Sequence, residues 1–143
     1  MVSLHKEVWV TVRGTRTDDL GEEETVELGT KGNYFQKNAS YYITYAESEI
    51  SGLAGTFTAW KAEPARVVLN KMGTTEVRQV FEEGIRHRAN YITPYGSLFI
   101  GVLPCKVEVD LTEGGGSIKL EYELEMSRKR VGYHALSIIV EEV

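Results

Sequence analysis

Apolar and polar residues alternate along much of this chain with a period of two, the spacing that puts every other side chain on one face of a β-strand. Ser117 to Met126 shows it best: Ile118, Leu120, Tyr122, Leu124 and Met126 interleave with Ser117, Lys119, Glu121, Glu123 and Glu125. Such a segment buries one face and solvates the other. Val8, Val10 and Val12 repeat the pattern, as do Val107, Val109 and Leu111, and again Leu136, Ile138 and Val140. Tyr41, Ile43 and Tyr45 continue it, with Val67 and Leu69.

Turn chemistry separates these runs. Glu113-Gly114-Gly115-Gly116 supplies glycines that accept positive φ and suit a hairpin. Thr93-Pro94-Tyr95-Gly96 presets φ at the proline and exits on glycine. Lys71-Met72-Gly73-Thr74, Glu82-Glu83-Gly84 and the stretch Gly29 to Asn33 read as further turns. The pattern predicts an all-β chain of about eight to ten antiparallel strands, arranged as a sandwich or barrel. No long helix, internal repeat or composition break divides it, so residues 1–143 read as a single domain.

Composition narrows the class. Hydrophobic residues make up 42% and charged residues 26%, an ordinary globular balance. With 16 Lys plus Arg against 21 Asp plus Glu, the net charge of -5 disfavours nucleic acid as a partner. The lone Cys105 cannot form an internal disulfide, the charged start His5-Lys6-Glu7 resembles no signal peptide, and no apolar run reaches membrane length. These features predict a cytoplasmic protein without a membrane partner. The acidic stretch Asp18 to Thr25 meets no ligand spacing and reads as a solvated connection.

Several segments, taken in order, carry a family resemblance. They are Gly32-Asn33-Tyr34, Tyr41-Tyr42-Ile43-Thr44-Tyr45-Ala46-Glu47-Ser48 and Gly52-Leu53, then Val67-Val68-Leu69-Asn70-Lys71-Met72-Gly73 and Phe81-Glu82-Glu83-Gly84. Tyr91-Ile92-Thr93-Pro94-Tyr95-Gly96-Ser97-Leu98 and Gly115-Gly116-Ser117-Ile118-Lys119-Leu120-Glu121-Tyr122-Glu123-Leu124 complete the set. The chain resembles the YwiB-like bacterial family, a domain of unknown function (number 1934). The likeness implies a single antiparallel calycin-like, lipocalin-type β-barrel and implies no reaction or cofactor. Lys71 stands where the family pattern has Arg, and Cys105 where it has Thr; a site needing a planar guanidinium at position 71 is altered here.

Within a small barrel, polar residues on an otherwise apolar strand face become informative, because the lumen is filled by side chains or holds one ligand. Parity places Glu47 on the face of Tyr41, Ile43 and Tyr45, Lys71 with Val67 and Leu69, Gln79 between Val77 and Phe81, and His87 with Tyr91. The candidate ligand-binding set is therefore Tyr45, Glu47, Lys71, Gln79, His87 and Tyr91. The functional reading is a pocket for a small polar or anionic molecule, with Lys71 and His87 as donors and the tyrosines as walls. The structural reading pairs Glu47 with Lys71 at the barrel mouth and lets His87 and Gln79 satisfy backbone groups.

Other signals are weaker. His5, His87 and His134 lack metal-ligand spacing, and each reads as a surface or internally bonded histidine. Cys105 reads as a buried thiol rather than a nucleophile. The glycines before Ser117 lead into a strand, so they are no phosphate loop, and Asn38-Ala39-Ser40 matters as a glycosylation acceptor only in a secreted protein. Arg86 and Arg88 form a basic face opposite His87, with Arg128-Lys129-Arg130 in a connection; this is either a solvated face or an RNA contact. No nucleophile, base and orienting group occur together, so catalysis ranks last, with no cofactor and no metal. A small molecule, a structural or protein-interaction role and a homodimer stay open.

Overall fold

The computed structural model describes residues 5–48 and 54–143. These form ten strands: β1 (Lys6–Thr17), β2 (Glu23–Lys37), β3 (Ser40–Ala46), β4 (Thr56–Glu63), β5 (Arg66–Gly73), β6 (Val77–Glu82), β7 (His87–Thr93), β8 (Gly96–Thr112), β9 (Gly115–Met126) and β10 (Lys129–Glu142). They make one antiparallel sheet in the order β6-β5-β4-β3-β2-β1-β10-β9-β8-β7. The first and last strands therefore pair, from Val8 opposite Glu142 to Thr17 opposite Tyr133.

The ends of that order, β6 and β7, are consecutive in the chain and meet to close the barrel. At one end of this seam Glu76 and Ile92 exchange two backbone hydrogen bonds of 2.9 Å. At the other, Ile85 N–H donates to Glu82 carbonyl at 3.2 Å, and the tip of the turn is tied to β8 by Gly84 N–H donating to Pro104 carbonyl. Between these points the strands splay, and the side chain of Gln79 crosses the gap, its Nε2 donating to His87 carbonyl at 3.2 Å. The barrel is thus nearly closed, with a side-chain amide standing in for part of one ladder.

The inward face is the one that alternation predicts. Ile118 and Leu120 on β9 are fully buried, as are Val10 on β1, Ile43 on β3, Val67 on β5 and Ile138 on β10. Leu124 is half-buried and Met126 is exposed, so the apolar face of β9 runs out of core at its last turn. The lower half of the lumen is filled with these side chains. Tyr34 stacks on Tyr41 at 5.5 Å and its hydroxyl donates to Thr112 carbonyl at 2.6 Å, which ties β2 across the lumen to β8.

Two expectations are corrected. Gly29 to Asn33 is no turn but the middle of β2. Gly29 is needed there because a Cβ would come within 2.5 Å of the Trp9 indole, and Gly32 because its Cβ would meet Thr44 carbonyl at 2.6 Å. Cys105 is exposed rather than buried. A bulge between Pro104 and Lys106 shifts the register of β8 against β9 and turns the thiol outward, where it meets the Tyr133 hydroxyl at 2.5 Å. Lys71, Met72 and Gly73 close β5, and the bend expected there follows at Thr74 and Thr75. The turns at Glu83-Gly84, Pro94-Tyr95 and Glu113-Gly114 fall where expected, and Asp18 closes the acidic connection by accepting from Leu20 and Glu22 N–H.

Candidate functional site

Above the filled half, the lumen holds a cavity of about 440 Å³. Its walls are mainly apolar: Trp60, Leu69, Phe81, Ile100, Val102 and Leu136. Trp60, Phe81 and Val102 line it while staying only 2% exposed, so the cavity reaches deep into the barrel. Its volume lies within the range of small-molecule sites, about 300–1,000 Å³.

The polar lip comes from three neighbouring strands. Tyr45 on β3 faces Thr58 on β4, which faces Lys71 on β5. Pairing this way puts all three side chains on one face of the sheet, and Glu47, just past β3, joins them. Lys71 Nζ donates to Glu47 Oε2 at 2.9 Å and to Thr58 Oγ1 at 3.0 Å, while Thr58 donates to Glu47 Oε2 at 2.6 Å. The Lys71 and Glu47 side chains are 12% and 8% exposed, so the pair is largely withdrawn from water. Tyr45 hydroxyl accepts from Trp60 Nε1 at 3.1 Å, joining the lip to the deep wall.

Three phenols face this space, and burial raises the pKa of each. Tyr91 is pushed up to about 12, and Tyr45 and Tyr122 go higher, with Glu47 adding to the shift on Tyr45 and Tyr91 to that on Tyr122. They stay protonated at neutral pH, as hydroxyl groups able to give or accept a hydrogen bond.

The residues expected from parity therefore divide. Tyr45, Glu47, Lys71 and Tyr91 line the cavity. Gln79 and His87 do not; they belong to the seam. Gln79 is 1% exposed and bridges β6 to β7, and His87 Nε2 lies 2.9 Å from Glu82 Oε1 across the β6–β7 turn. Parity gave their face of the sheet correctly, but where the two strands splay the side chains are drawn into the gap instead of the lumen. Arg86 and Arg88 also do more than coat an outer face, because both bond the buried carboxylate of Glu125. Glu125 can lie flat because Gly101 opposite has no side chain: a Cβ there would come within 2.4 Å of the Glu125 carboxylate. The bond from Arg88, aided by that from Arg86, holds the Glu125 pKa below the usual carboxylate value.

Thr58 was not singled out by the sequence, although Thr56, Thr58, Trp60 and Ala62 alternate as a lumen face and would have supported it. His134 is internally bonded at one ring nitrogen only: Nδ1 meets the Tyr122 hydroxyl at 3.5 Å, while Nε2 is buried and makes no hydrogen bond among the described residues. No group of three or more His, Cys, Asp or Glu side chains is placed to hold a metal among those residues, and no helix there is long and apolar enough to cross a membrane.

Comparison with known proteins agrees with this architecture. The uncharacterized beta-barrel protein YwiB of Bacillus subtilis (strain 168) is 26% identical over 124 residues, which cover 87% of this chain and 86% of that protein. The crystal structure of ywiB protein from Bacillus subtilis is similar with a TM-score of 0.86 at 24% identity, over 97% of this chain and 93% of the other, a likeness of fold. The family model described as "Domain of unknown function (DUF1934)" matches residues 10–138. Spanning every strand of the barrel in whole or in part, that match shows that the chain belongs to the DUF1934 family, whose function is not established.

Proposed function

We propose that this protein is a non-catalytic β-barrel that holds a small molecule in the open half of its lumen. The observation that carries this reading is the cavity of about 440 Å³, walled by buried aromatic and aliphatic side chains and edged by a hydrogen-bonded polar lip. The wall chemistry calls for a ligand with an apolar body, since burying such a body is the main source of affinity here. Glu47 already neutralises Lys71, so an anionic head must compete with that carboxylate, whereas an uncharged polar head need only share Lys71 or Thr58. A cytoplasmic setting belongs to the same reading and is supported by the single unpaired cysteine.

An RNA contact is less well supported, because Arg86 and Arg88 are tied to Glu125 rather than presented together to solvent. Any such binding should weaken steeply with salt.

Trp60 is a built-in reporter. The chain has 2 tryptophans, and a Trp9→Phe variant leaves Trp60 alone on the cavity wall. Titration with N-phenylnaphthylamine should quench Trp60 emission with micromolar affinity and brighten the probe. A Val102→Trp variant, which fills the cavity, should abolish both signals. Absence of any probe binding to folded protein would remove the reading.

A further inference from the structure

Beside the main cavity lies a smaller chamber of about 240 Å³, bounded by Gly14, Thr15 and Arg16 of β1, Glu24 and Val26 of β2, and His134 of β10. Tyr122 and Leu136 line both spaces, so the two chambers share a wall. Gly14 sits between Val26 and Leu136 in the sheet, and its missing side chain leaves room where its neighbours would otherwise meet.

We propose that this chamber is a second subsite of the lumen, in which His134 Nε2–H donates a hydrogen bond to an uncharged carbonyl group of an otherwise apolar ligand. The proposal rests on the lumen reading above and adds to it a position and a chemical class.

Three observations support it. First, His134 Nε2 is buried without a hydrogen bond among the described residues, and such an atom gains most from a partner that the ligand supplies. Second, the other ring nitrogen, Nδ1, lies 3.5 Å from the Tyr122 hydroxyl, a long contact. Burial keeps that phenol protonated, and with its proton turned to Nδ1 the imidazole carries its own proton on Nε2 and presents a donor to the chamber. Third, the site offers little net charge. Arg16 is paired with Glu24 at 3.0 Å on the rim, and burial, with the nearby Arg16 charge second, lowers the His134 pKa and favours the neutral ring. A neutral donor beside an Arg16 already paired with Glu24 selects a neutral acceptor, because an anion would have to draw Arg16 away from Glu24 to replace its lost hydration.

The test uses three probes of one shape: ethylnaphthalene, acetylnaphthalene and naphthoate, titrated against Trp60 emission. Acetylnaphthalene should bind about tenfold more tightly than ethylnaphthalene, one unsatisfied donor's worth. Naphthoate should bind more weakly than the ketone. In His134→Phe the preference for the ketone should vanish while ethylnaphthalene binding holds, which also shows that the variant is folded. Nitrogen NMR of the unaltered protein gives a second readout independent of any substitution: the His134 Nε2 resonance should move with acetylnaphthalene and stay with ethylnaphthalene. Equal affinity for ketone and hydrocarbon, a ketone preference that survives His134→Phe, or a still His134 resonance would overturn the subsite while leaving the lumen reading intact. Failure of all three probes to bind the folded protein would overturn both.

Discussion

The two ends of this barrel are built from the same ten strands and do opposite things. At the end where β1 begins, Val8, Ile118 and Val140 fill the lumen, and the Tyr34 hydroxyl is bonded across it to Thr112. At the end where β1 finishes, the lumen is hollow, its wall carries Trp60, Phe81 and Tyr122, and ionised groups reach the lip. Exposed apolar side chains gather on the turns and strand ends around the open end: Leu20, Phe57, Met72, Ile92, Tyr95 and Leu98. One end is spent on packing and the other is left unpacked around a cavity, which is how a small barrel can keep both stability and room for the proposed ligand.

That contrast can be broken most sharply with matched leucines. Leu120→Ala, in the filled half, should cost about 3–5 kcal/mol by denaturant unfolding, because the void has no room to collapse. Leu136→Ala, on the shared wall of both chambers, should cost about 1–2 kcal/mol, since its side chain already borders space. Equal losses at the two positions would mean that the open half is packed as tightly as the closed one.

Of intermediate size is the effect of the lip pair. Lys71→Met should cost on the order of 3 kcal/mol by leaving the Glu47 carboxylate withdrawn from water without its cation. Adding Glu47→Leu to that variant should restore most of the loss, because replacing both charges removes the penalty that replacing one creates. A double variant as unstable as the single one would show that Glu47 is held by its remaining partners rather than by Lys71.

The smallest effect is set by pH. Burial lowers the folded-state pKa of His134, so between that value and the unfolded value near 6.5 the unfolded chain binds the extra proton. Stability should therefore be full above about pH 6.5 and decline as pH falls from there through the folded-state value. Glu125 acts at lower pH: its depressed pKa contributes stability above the unfolded carboxylate value and loses it as pH falls through the folded one. The mid-range slope should disappear in His134→Phe while the acid-range loss remains, as read from melting temperature against pH.

The filled half was largely legible in the sequence, because burial there follows strand parity directly: Ile118, Leu120 and Ile138 could be placed without knowing their neighbours. The lip was partly legible, since Tyr45, Glu47, Lys71 and Tyr91 also keep parity. What escaped depends on relations between strands distant in sequence. Gln79 and His87 follow their parity yet serve a splayed seam, Cys105 is reversed by one bulge, and Gly29 mimics a turn until Trp9 is seen lying against it. His134 escaped for a further reason: that a nitrogen lacks a partner is a property of everything around it, not of its own residue type.

The seam has a bearing on how this molecule meets copies of itself. In an open sheet the outermost strands offer bare amides and carbonyls on which a foreign strand can template, the usual route to runaway aggregation. Here those two margins are the arms of one hairpin, facing each other, with a carboxamide wedged in the cleft. Growth by adding strands would have to prise that hairpin apart, so self-association of the intact barrel is left to contacts between side chains.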